Sequence, residues 1–91
     1  MTAYTTADAS SAARMIGIAW ADELFEIDDL VVGMNVESEH GSEHPETNVT
    51  GDDPVLTARI ALAHLREFPD YYHRLREMEA EARRQTGNPL T

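Results

Sequence analysis

The stretch from Pro54 to Glu67 has proline at both borders, Asp53-Pro54 before it and Phe68-Pro69 after it, and is apolar round most of its circumference when wound as a helix. Asp53 is suited to cap such a helix, and Pro54 suits its first position, where a missing amide costs nothing. Phe68 precedes a proline and is pushed out of helical geometry, which ends the element. Only a narrow strip with Arg59 and Arg66 is polar; Leu56, Ile60, Leu62 and Leu65 stand among alanines elsewhere. A helix this apolar has to be surrounded by other elements. The chain is therefore expected to be a bundle built around it.

Three further helices fit the apolar spacing, and no segment reads as a strand. The first runs from Thr6 or Asp8, either of which can cap it, to about Trp20, with Ala12, Met15, Ile16 and Ala19 at intervals of three and four. A short turn, Ala21 to Phe25, follows, with Leu24 and Phe25 expected to tuck under the fold. The second helix spans Ile27 to His40. Glu26, Asp28 and Asp29 set negative charge at its positive end, and Gly41 stops it. Ile27, Leu30, Val31 and Met34 make one stripe, while Val32 and Val36 lie on another face, so this helix is expected between neighbours. Gly33 within it costs about 1 kcal/mol relative to alanine, which close approach of another backbone would explain. After Phe68-Pro69-Asp70 the fourth helix shows Tyr71, Leu75, Met78 and Ala82 on one side, and Gly87-Asn88-Pro89 ends it.

The fold class predicted is all-α: a small compact bundle of about four helices with one long acidic loop over residues 41–53. A chain of 91 residues makes a single domain, residues 1–91, with flexible tails expected at 1–6 and 86–91.

Without cysteine there is neither a disulfide nor a thiolate metal site, so any metal must sit on imidazole, carboxylate or backbone oxygen. The formal net charge is -10 and there is no lysine. Such a surface repels phosphate backbones and anionic membranes, which excludes nucleic acid and membrane as partners and leaves a protein partner or self-assembly. The first residues have neither a basic cluster nor an apolar core, so no secretory signal is expected and the location predicted is cytoplasmic, or a virion if the source is viral. No apolar run approaches the roughly twenty residues of a membrane span.

Two segments carry the candidate chemistry. Glu37 and His40 lie three apart on the second helix, a Glu-x-x-His spacing used by carboxylate metal sites in bundles. His64 lies opposite the Arg59/Arg66 strip and is expected to be buried, with Glu67 one turn on. A buried imidazole needs partners for its nitrogens. Either a hydrogen-bonded helix joint or one divalent ion, zinc or similar, held by Glu37, His40 and His64 with Glu67, satisfies that need. Tyr71 is expected in the core; Tyr72 is rotated away, with its hydroxyl within reach of His64, Glu37 or water. His44 and His73 are expected at the surface. There is no phosphate-binding glycine loop and no nucleophile elbow.

Gly33-Met34-Asn35-Val36-Glu37-Ser38-Glu39-His40-Gly41, Thr47 to Pro54, Ile60 to His64 and Pro69-Asp70-Tyr71-Tyr72 together resemble a small family of uncharacterised prokaryotic and viral proteins, a domain of unknown function. The resemblance covers about Ile27 to Met78. It implies a compact helical domain, often a short stand-alone protein, and marks Glu37, His40, His64, Asp70 and Tyr72 as motif positions without giving any of them an activity.

Three functions are compatible with these residues. The leading expectation is a non-enzymatic binding or assembly protein, a virion component included, with the Glu/His cluster joining the second and third helices. A metal-dependent small hydrolase using Glu37, His40 and His64 as ligands is the alternative, and an acidic inhibitor of a basic protein is the third.

Overall fold

Asp53 caps the central helix as the sequence requires, its Oδ1 accepting from the backbone N–H groups of Val55 at 2.8 Å and Leu56 at 3.1 Å. The structure, a computed structural model, describes residues 3–86. Among these residues every regular element is helical: α1 (Thr6–Ile16), α2 (Ile27–Glu37), α3 (Pro54–Glu67) and α4 (Tyr71–Thr86), with single 3-10 turns at Trp20–Asp22, Ser38–His40 and Pro45–Thr47. The expected second helix thus becomes α2 plus the turn that ends at His40.

α1 starts at Thr6, as expected, but is capped one residue earlier and stops well before Trp20. Thr5 is its cap, in a reciprocal box with Asp8: the Thr5 N–H donates to Asp8 Oδ2 at 2.8 Å and the Asp8 N–H to Thr5 Oγ1 at 3.2 Å. Gly17 ends it in the left-handed region, φ +90°, with its N–H on the Ala13 carbonyl at 2.9 Å. The apolar spacing that continues to Ala19 belongs to a backbone that has already left the helix. The face α1 buries is Ala9, Ala12 and Ala13, while Met15 is exposed.

The core is formed where α1, α2 and α3 pack on one another, with α2 against α3 the most extensive contact, and α4 laid on both. Leu30 and Met34 from α2 meet Ala58, Ala61, Leu62 and Leu65 from α3, with Phe25 beneath. Gly33 faces this seam. A Cβ there would lie 2.6 Å from a ring carbon of Tyr72 and 2.9 Å from the Ala61 Cβ, so side chains of α4 and α3, not a backbone, require the glycine.

Four other expectations are corrected. Leu24 is 87 % exposed; only Phe25 tucks under, its ring edge-to-face with Trp20 at 5.7 Å. On α4 the tyrosines exchange roles: Tyr72 is 3 % exposed and Tyr71 half-buried. Met78 is exposed because the far half of α4 has little to pack on. Tyr4, in the expected flexible tail, is buried, and its main chain pairs with the Asn35 amide (N–H to Oδ1 2.7 Å, carbonyl from Nδ2 3.1 Å). Thr5 and Thr6, of the same expected tail, cap and open α1, and Thr86 ends α4; tail residues 1–2 and 87–91 lie outside the described residues, as does the expected Gly87-Asn88-Pro89 stop.

Residues 41–53 are more structured than their composition suggests. The His40 carbonyl accepts from the N–H groups of Val49 at 2.7 Å and Thr50 at 3.1 Å, closing the segment into a loop. Across it, the Ser42 N–H donates to Asp52 Oδ1 at 3.0 Å and the Ser42 hydroxyl to Asp52 Oδ2. Gly41 is buried under this latch, Thr50 is buried beside it, and Gly51 and Asp52 turn the chain at φ +58° and +64°. The two bonds from Ser42, the hydroxyl's first, hold the Asp52 carboxyl below its usual range.

Candidate functional site

Glu37 is the last residue of α2 and shares the face of Leu30, Gly33 and Met34, the spacing that one side of a helix presents to a core. Its carboxylate is carried inward with them and its side chain is only 8 % exposed. A buried carboxylate has to be given donors. Tyr72, from the first turn of α4, donates its hydroxyl to Glu37 Oε2 at 2.8 Å. His64, from α3, sets Nε2 3.7 Å from the same oxygen, and His40, from the turn after α2, sets Nε2 3.7 Å from Oε1. These two spacings exceed a hydrogen bond, and each becomes an ion pair only when its imidazole is protonated.

The aromatic groups hold His64 in place. Its ring stacks on Tyr71 at 4.2 Å, with 9° between the planes, and lies edge-on to Tyr72 at 6.2 Å. Its side chain is 32 % exposed rather than buried, even with one face of the ring stacked on Tyr71. Nδ1 is buried without a hydrogen-bond partner, and Glu67 Oε1 lies 3.6 Å from it, beyond bonding reach. His40 is more open, at 46 %, but its main chain is fixed by the loop that closes on its carbonyl.

The structure therefore brings together Glu37, His40, His64 and Tyr72, with Glu67 at the margin. Asp70 stands apart, at the surface, with both oxygens 2.9 Å from Arg74 Nε; that guanidinium holds its carboxyl below the usual range. His44 and His73 are exposed, as expected. Among the described residues no group of three or more histidine, aspartate or glutamate side chains is arranged to hold a metal ion.

Burial first, and then the bond to Glu37, push the Tyr72 phenol well above its ordinary 10.0. A phenol that holds its proton so firmly is a donor, not a base or nucleophile. The hydrogen bond from Tyr72 to Glu37 ties α4 to α2, and His64 of α3 lies beside it without a hydrogen bond to either.

Sequence reasoning gave no structural role to Asn35 or Thr50 and took Gly41 only as a helix stop, whereas Asn35 fixes the N-terminal segment and Gly41, Thr50 and Asp52 shape the loop. Asn35, mid-helix between apolar residues, was the one visible signal, since its side chain tends to seek main-chain partners. The Ser42–Asp52 pair is a contact across a loop and leaves no periodic trace.

No helix among the described residues is long and apolar enough to cross a membrane. No curated protein matches the chain, and neither does any solved structure. The sequence model of a family described as "Protein of unknown function (DUF5661)" matches residues 9–81, from α1 into α4, and so contains every member of the cluster. On that match the chain belongs to the DUF5661 family.

Proposed function

We propose that this chain is a non-enzymatic binding protein that works as part of a larger assembly, a virion or another complex. The observation that supports this reading is where its groups lie. The carboxylate best placed for chemistry is held inside by Tyr72 as a joint between helices, whereas Leu24, Val49, Phe68 and Met78 are turned outward. A domain of this size gains stability when such side chains meet a partner. The test is the mass at which the native chain travels in a gentle extract of its source, followed by antibody. Migration well above 10.1 kDa supports the reading, and migration as a free 10.1 kDa chain at native concentration overturns it.

A second reading is a single divalent metal at the joint. The approach of two imidazole Nε2 atoms to different oxygens of one carboxylate, each at 3.7 Å, favours it. Zinc ligands lie about 2.0–2.2 Å from the metal, so both rings would have to move inward. Metal analysis of protein purified without affinity metals separates the readings. One equivalent of zinc, lost in His40→Ala, supports the metal; a metal-free protein whose melting temperature ignores added zinc counts against it.

A further inference from the structure

Arg14 and Arg59 bracket a stretch of chain that holds no lysine or arginine, so the acidic charge is concentrated in the middle of the sequence, not spread evenly. Within that stretch, the turn between α1 and α2 forms a surface pocket of about 710 Å³ lined by Trp20, Glu23, Leu24, Phe25, Glu26 and Ile27. Its walls are apolar and Leu24 is almost fully in solvent. Its polar lining residues are Glu23, which is paired with Arg66, and the exposed Glu26, with Asp22 and Asp28 adjoining it in the chain.

The pocket is held open from below. Phe25 is buried and pinned edge-to-face against Trp20, which leaves Leu24, its neighbour, facing outward. Glu23 is fixed by Arg66 of α3, with Nη2 to Oε2 at 2.7 Å and Nε to Oε1 at 3.3 Å, so the turn is anchored to the central helix. That pairing raises the Arg66 pKa further. Glu26 remains at the rim, exposed.

Resting on the reading of the chain as a binding protein, we propose that the Trp20–Ile27 pocket is its docking surface and that the partner is another protein presenting an amphipathic basic segment, with apolar side chains for Leu24 and Trp20 and arginine or lysine for the acidic residues Glu26, Asp22 and Asp28. Charge complementarity selects this occupant. A second copy would bring the same acidic rim against itself, and the like charges would oppose contact. Nucleic acid is excluded by sign. The apolar floor supplies affinity and the rim supplies orientation and encounter rate, which makes the contact sensitive to both salt and the loss of Leu24.

Trp20 is the only tryptophan and lines the pocket, so its fluorescence reports occupancy directly. The probe is a synthetic peptide of alternating leucine and arginine, beside versions with arginine replaced by glutamate and leucine replaced by serine. The expected result is a saturable change in Trp20 emission with the first peptide only. Leu24→Ser, at a position too exposed to affect folding, should weaken it by roughly tenfold or more, as for an apolar side chain buried on binding, and Glu26→Gln should weaken it and reduce its salt dependence. No emission change, or equal binding by Leu24→Ser, overturns the assignment. The native extract separates this failure from failure of the broader reading. If Leu24→Ser still travels in a large complex, the surface is wrong and the binding function stands. If the unaltered chain travels alone, the function itself is wrong.

Discussion

The hydroxyl of Tyr72 donates to Glu37 Oε2 at 2.8 Å, linking the first turn of α4 to the last residue of α2, thirty-five positions away in the chain. Few contacts tie α4 to the rest, and this one buries a carboxylate to do so.

Removing that donor should therefore cost more than an average hydrogen bond. Tyr72→Phe keeps the ring against Gly33 but leaves Glu37 short of its donor, and a loss of about 1.5–3 kcal/mol is expected. Urea unfolding of Tyr72→Phe, Glu37→Gln and the double variant measures the coupling. Additive losses in the cycle would show that the bond contributes nothing of its own.

The same phenol gives the fold an alkaline limit. In the folded chain its proton is held above the ordinary 10.0, while in the unfolded chain it leaves near that value. Because the folded pKa is raised, the contribution is complete below pH 10.0 and declines as pH rises beyond it. Urea midpoints on either side of pH 10.0 should fall for the unaltered chain and fall less for Tyr72→Phe. Parallel curves would remove Tyr72 as the cause.

Gly33→Ala sets two effects against each other. Alanine gains about 1 kcal/mol of helix propensity, but its Cβ would sit 2.6 Å from Tyr72 and 2.9 Å from Ala61. Overpacking of this kind costs about 1–3 kcal/mol, so a net loss is expected, with the Tyr72 ring displaced. A Gly33→Ala variant that melts higher than the parent would refute the tight seam.

Acid acts through the loop latch. Asp52 is held below its ordinary 3.8 by Ser42, so its contribution is complete above 3.8 and is lost as pH falls through the lower folded value. Ser42→Ala removes the larger of the two causes and should flatten the acid limb of stability against pH, read by circular dichroism below 3.8. An unchanged limb would assign acid sensitivity elsewhere.

The elements legible from sequence were those whose signals are local. Asp53, Pro54 and Pro69 delimit α3 within a few residues of its ends, and α3 runs from Pro54 to Glu67 as expected. Phase alone turns Glu37 inward with Leu30, Gly33 and Met34, but it overstated the burial of His64, whose side chain is 32 % exposed and whose Nε2 lies 3.7 Å from Glu37 Oε2. Tyr71 and Tyr72 were not separable in this way. They are adjacent, about 100° apart on the helix, and which one enters the core depends on how α4 crosses α2 and α3. Leu24 and Phe25 posed the same difficulty in a turn, where no period exists to assign a side. Met78 continues an apolar stripe that outlasts the surface it could pack on.

The projecting half of α4 has a consequence for how the molecule opens. From Arg76 to Gln85 only Ala80 is even partly covered, whereas Tyr71, Tyr72 and Leu75 lie against the other helices. In hydrogen-exchange terms the helix divides at Leu75: amides nearer Tyr72 exchange only when the buried carboxylate is uncovered, and those beyond Arg76 exchange by fraying that the core never registers.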